Sequence, residues 1–210
     1  GLGDVYKRQG LIQTTSNGYR AWLNRKDIKW KVILMILTGS LISLIFLSFI
    51  AFQPSEILII FALGILPYLA LCVPKEFSLN IDKPTIGVVA GGVVVFTNLI
   101  AGFVGQLLDV FFHKVDMTRN EVVATKAVAQ TIGHIAKVFF FGGLLISFSL
   151  ENWPSSCLIF GAVIVSVIGT TMGKRVLDII DDDLFFRWTQ IIVLSVGAIF
   201  IIRGIFLLTQ

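Results

Sequence analysis

Charge is scarce in this sequence: Asp, Glu, Lys and Arg make up 14% of its 210 residues, against 56% hydrophobic, and the mean hydropathy is +0.89. A water-soluble fold cannot cover so much apolar surface with so few charges, which excludes the soluble globular classes. Tyr (3) and Trp (4) are few beside 18 Phe, and Phe brings into lipid no polar group that needs a partner. There are only two cysteines, Cys72 and Cys157, both inside apolar stretches and neither at CxxC or metal-type spacing with His113 or His134. They are expected as buried small hydrophobes. HExxH, GxSxG and phosphate-loop patterns are also missing, so an enzyme is not expected and no cofactor or metal is called for.

What is present is a series of long apolar runs. A hydrocarbon core of about 30 Å takes about 20 helical residues, and six runs approach that length. Residues 32–52 are uncharged and end at Gln53-Pro54-Ser55-Glu56; residues 57–73 contain Pro67 and stop at Pro74-Lys75-Glu76, giving a helical hairpin. Residues 85–108 are uncharged and Gly-rich, residues 122–148 contain Lys126, His134 and Lys137, residues 157–173 are uncharged, and residues 188–208 hold Arg203 near their end. The segment 174–186 alternates basic, apolar and acidic residues, as an interfacial segment does. Its run Asp181-Asp182-Asp183, flanked by Lys174, Arg175 and Arg187, reads as a solvated loop instead of a metal site. The fold class is an all-α membrane protein with six visible spans. Residues 32–73 and 157–208 share a faint repeat of span, connection and span.

Net charge is +4 with a pI near 9.2, but the basic residues sit in short connections. They report topology and not a nucleic-acid surface. Residues 10–31 read as the tail of an earlier helix followed by a basic loop with Arg20, Arg25, Lys26, Lys29 and Lys31, which belongs on the cytoplasmic side. Simple alternation then turns residues 111–121, with Lys114 and Arg119, outward. That conflict keeps open a broken or re-entrant helix around 102–109. Residues 1–9 (GLGDVYKRQ) resemble the translation of a sequencing-library adapter, so the native sequence is expected to begin near Gly10, with earlier residues missing.

The chemistry concentrates on one helix face, where Lys126, Gln130, His134 and Lys137 recur at i, i+4, i+8 and i+11. A Lys near the bilayer centre costs about 2.5–3.5 kcal/mol on insertion scales, so His134 and Lys137 must be sheltered from lipid. Lys126, near the helix start, can instead snorkel to the interface. Asp109 is the natural counter-ion for one of these cations. Gly102 and Gly105 allow close helix packing or, if the helix breaks there, free N–H groups for an anion. Asn98, Thr97 and Gln106 add neutral hydrogen-bonding groups.

The stretch GFVGQLLDVFF (102–112), the run Arg119-Asn120-Glu121-Val122-Val123-Ala124-Thr125-Lys126-Ala127, and Gln130, His134, Lys137 and Gly142 after it resemble the TauE/SafE sulfite exporter family. Gln106 departs from the Pro that many members carry there. The resemblance implies an eight-helix transporter of two four-helix repeats in a cell membrane, by family a bacterial inner membrane. Residues 10–73 would be the remainder of the first repeat and residues 84–210 the second. It further implies export of sulfite, sulfonates or other small organosulfur or carboxylate anions, coupled to the proton gradient. The small anionic substrate would meet Lys126, Gln130, His134, Lys137, Gly102, Gly105, Gln106 and Asn98, with Asp109 and His134 as proton carriers. The rival reading is a non-transporting scaffold or accessory subunit, and a homo-oligomer is left open.

Overall fold

The computed structural model describes residues 2–49, 60–61, 64–65, 67–68, 79–101, 105–112, 115–141 and 156–209. Their regular structure is entirely helical: α1 (Leu2–Leu23), a 3-10 turn (Arg25–Asp27), α2 (Trp30–Phe49), α3 (Pro84–Ala101), α4 (Gly105–Phe112), α5 (Arg119–Phe141), α6 (Ser156–Ile179) and α7 (Asp182–Leu208). Among the described residues, three stretches are long and apolar enough to cross a membrane, α2, Phe160–Ile179 of α6, and α7. The expected span 57–73 lies mostly outside the described residues, as do Gly102, His113, Lys114, Gly142 and Cys72; so does the Gln106 side chain.

Local chemistry sets the helix ends. Pro84 opens α3, where its fixed φ suits the first helical position and its missing N–H costs nothing. At α7, the Asp181 side chain accepts from Leu184 N–H at 2.7 Å, and Asp182 and Asp183 sit in the first turn, facing the positive end of the helix dipole. The segment 174–186 is therefore the end of α6 and the start of α7 with a short turn between them, and Asp182 and Asp183, expected in a loop, are helical with Asp181 as their cap.

Residue pairs along α5 give the directions of the other helices. Asn98 of α3 meets Gly133, and Val95 and Leu99 pack in one cluster with Ala136, so α3 runs parallel to α5. Asp109 of α4 meets Lys126 and Gly105 approaches Gln130, so α4 runs the opposite way. The uncharged run 85–108 is thus not one continuous helix: α3 descends and α4 returns. Phe112 and Met117 rejoin Val32, Ile81 and Val122 in one apolar cluster at the face where α2, α3 and α5 begin. This return removes the topology conflict, because the connection after α4 lies on the same face as the basic loop 24–31.

Two helices can touch backbone to backbone only where side chains vanish. A Cβ on Gly39 of α2 would overlap the Val88 carbonyl of α3, and one on Gly91 would overlap the Ile36 carbonyl. Small residues at such crossings drive helix association in lipid, where burial of apolar area gives no gain. α5 lies in the middle, against α1, α2 and α3, while α6 and α7 turn Phe160, Val165, Ile191 and Ile202 outward. Cys157, expected to be buried, is exposed on this outer surface; in a bilayer an apolar run signals contact with lipid as readily as a core.

Candidate functional site

α5 is amphipathic in the reverse sense of a soluble helix. Its polar face is the sheltered one: Lys137 is 0% exposed and His134 4%, whereas Ile135 and Phe139 of the same turns are exposed. The burial follows from spacing, since residues 130, 134 and 137 share the side that α1 and α3 cover. Gly10 makes the approach of α1 possible, because a Cβ there would meet Val138 Cγ2 at 2.7 Å and the His134 carbonyl at 3.4 Å.

Along this seam the groups fall into two levels. At the level nearer the basic face, Asp109 and Lys126 form an ion pair with side chains 15% and 17% exposed, so the charge of Lys126 is balanced within the protein. Gly105, at the start of α4, lies so close to Gln130 that a Cβ would come within 3.3 Å of its Nε2. Deeper, the fully buried Asn98 donates from Nδ2 to the Gly133 carbonyl at 2.6 Å. Lys137 Nζ donates to Gln9 Oε1 at 3.2 Å.

The deeper level is rich in polar atoms without partners. Gln13 Oε1, Thr14 Oγ1, Asn98 Oδ1 and His134 Nδ1 are all buried with no hydrogen bond among the described residues. A buried polar group left unsatisfied costs about 1–3 kcal/mol, so each of these atoms calls for a partner such as water or a guest molecule. Gln13 and Thr14 come from α1 between Gly10, which faces His134, and Gly18, which faces Thr131. In the sequence Gln13 and Thr14 read as the tail of an earlier helix, with no site role. The available signal was the recurrence of polar residues at 9, 13 and 17, one side of a helix.

Near the basic face the fold is tied by further polar contacts. Thr125 Oγ1 accepts from Lys29 N–H at 3.1 Å, and Arg119 donates to Asp182 Oδ1 at 2.8 Å and to the Leu177 carbonyl at 2.9 Å, joining α5 to α6 and α7. Lys29 pairs with Glu121 at 2.5 Å. The hydrogen bond from Lys29 and that from Thr118 hold the Glu121 carboxyl below its ordinary range, and the bond to Glu121 raises the ammonium of Lys29.

The family model described as Sulfite exporter TauE/SafE matches residues 10–201. The chain belongs to the TauE/SafE family. Its members are membrane anion exporters and not enzymes, in keeping with the apolar spans of α2, α6 and α7. Every site residue named from the sequence falls inside the TauE/SafE match. No curated protein and no solved structure matches the chain. Among the described residues of this TauE/SafE chain, no cluster of His, Cys, Asp or Glu has the arrangement of a metal site.

Proposed function

We propose that this protein exports small anions such as sulfite, sulfonates or other organosulfur or carboxylate anions, and that the seam between α1, α3, α4 and α5 is the transport site. The observation that carries the reading is a lysine and an imidazole buried on α5, the helix that α1 and α3 cover, with Gln13 Oε1, Thr14 Oγ1 and Asn98 Oδ1 on those covering helices buried without a hydrogen bond among the described residues. A cation and an imidazole sheltered on one helix of a membrane protein are groups to which a passing anion is drawn. Lys137 attracts the substrate; Gln130, Asn98, Gln13 and Thr14 offer hydrogen bonds; and the start of α4 at Gly105, which approaches Gln130, brings a positive dipole end to the same seam.

Coupling to the proton gradient is assigned to His134, because an imidazole can hold or release a proton within the seam while Asp109 is already engaged by Lys126. The basic connections on one face favour a cytoplasmic placement of that face, with six spans belonging to an eight-helix assembly of two repeats in a bacterial inner membrane. Export then requires the buried seam to open by movement of α1 against α5.

The test is sulfite and alkanesulfonate flux into vesicles containing the full-length protein. Lys137→Ala and His134→Ala are expected to cut flux at least tenfold, with His134→Ala also removing its dependence on a pH gradient. Wild-type flux in both variants would refute the assignment, and no flux from the wild-type protein would favour the scaffold.

A further inference from the structure

A second polar place lies at the basic face, away from the seam. A cavity of about 260 Å³ opens there, lined by Arg20 of α1, Val123 of α5, Lys174 and Leu177 of α6, Ile180, and Phe185 of α7. Arg20 is half-buried and its guanidinium forms no ion pair or hydrogen bond among the described residues. A guanidinium has five N–H donors in a fixed fork suited to an oxyanion. Lys174 uses two of its donors, to Asn24 Oδ1 at 2.9 Å and Asp178 Oδ1 at 3.2 Å, and an ammonium has three. The lining pair of cations faces the single carboxylate of Asp178, which leaves one positive charge without a counter-ion among the described residues. Apart from Asn24 and Thr170, the rest of the wall is apolar.

We infer that this cavity binds a singly charged oxyanion that carries an apolar body. The head group lies on Arg20 and Lys174, and the body lies against Leu177, Ile180 and Phe185. The volume is below the roughly 300–1,000 Å³ of drug-sized sites, so the bound body is short. Gly173, where a Cβ would meet nothing within 4 Å, keeps the α6 side of the cavity open. Arg20 is ten positions from Gly10, or roughly 15 Å along α1, so the site is separate from the seam and its occupancy does not depend on transport. Two sources present this chemistry at a membrane surface: a small alkanesulfonate from solution and the phosphodiester head of an anionic lipid.

The experiment is equilibrium binding of hexanesulfonate to full-length protein in nanodiscs of phosphatidylcholine or of phosphatidylglycerol. Arg20→Gln is expected to weaken binding in phosphatidylcholine at least tenfold, and Arg20→Lys, which keeps the charge but not the fork, to recover part of the loss. Lys174→Gln carries the same expectation if Arg20→Gln does not fold. Equal wild-type affinity in both lipids assigns the site to a soluble anion; loss of binding in phosphatidylglycerol assigns it to the lipid head. Binding that survives Arg20→Gln and Lys174→Gln but disappears in Lys137→Ala places the probe in the seam and overturns the second site. Absence of flux when the same protein is placed in sealed vesicles bears only on the seam.

Discussion

α5 and α6 are of similar length and lie side by side in the chain, yet they treat their side chains in opposite ways. α5 hides Lys137, His134 and Thr125. The apolar stretch of α6 has 11% of its span buried, and it sends Phe160 (68% exposed) and Val165 (70%) outward. In water this arrangement would be inside out. In lipid it is the expected one, because apolar surface loses nothing at the periphery while each polar group must find a partner or a wet space within the protein. The comparison teaches that the interior of this protein is built for polar groups, and that tight packing comes from small residues instead of apolar bulk.

The contrast is most easily broken at the glycines. Gly91→Leu, whose Cβ would overlap the Ile36 carbonyl, is expected to cost about 3 kcal/mol or more and to abolish recovery of folded protein, because two backbones must separate. Gly161→Leu on α6, with nothing within 4 Å of its Cβ, should leave recovery unchanged; fluorescence-detected gel filtration after graded heating compares the two. If both variants behave alike, the packing asymmetry is wrong.

Next in size is the ion pair of α4 and α5. Asp109→Asn strands Lys126 in a mostly buried place and should cost about 3 kcal/mol, with Lys126→Met in the same chain recovering most of it. A double-mutant cycle on thermal stability reads the coupling. Asn98→Ala removes one interhelical hydrogen bond, worth about 0.6–2 kcal/mol in a membrane interior, and is expected to shift the melting temperature less than Asp109→Asn does.

The smallest effect belongs to Lys29 and Glu121 at the exposed face. Glu121 titrates below its ordinary range, so its share of stability is present above the unfolded value and is lost as pH falls through the lowered one. Lys29 titrates above its ordinary range, so its share is lost only as pH rises through the raised value. Melting curves of Glu121→Gln should therefore match wild type in acid and fall slightly below it near neutrality, with the gap closing in high salt.

Much of this was legible in the residues. The apolar runs marked α2, α6 and α7 because twenty uncharged residues have few other uses, and the spacing of Gln130, His134 and Lys137 placed them on one face before any neighbour was known. The reversal between α3 and α4 was visible only as a glycine-rich place where a break was open, since an apolar run carries no sign of direction. Gln13 and Thr14 stayed hidden because they precede a basic loop and resemble an interface tail; their meaning comes from α1 lying on α5, a long-range contact. Cys157 was misplaced because an apolar stretch does not say whether its neighbour is protein or lipid.

The central claim is that the polar seam, and not the outer face of α6, meets water during the transport cycle. Cysteine labelling tests it most directly, in a background carrying Cys72→Ser and Cys157→Ser, with a charged methanethiosulfonate that reacts only with a hydrated thiolate. Thr14→Cys should be labelled in vesicles and slowed by methanesulfonate, while Val165→Cys stays inert in lipid. Rapid labelling at Val165 with none at Thr14 would contradict the account.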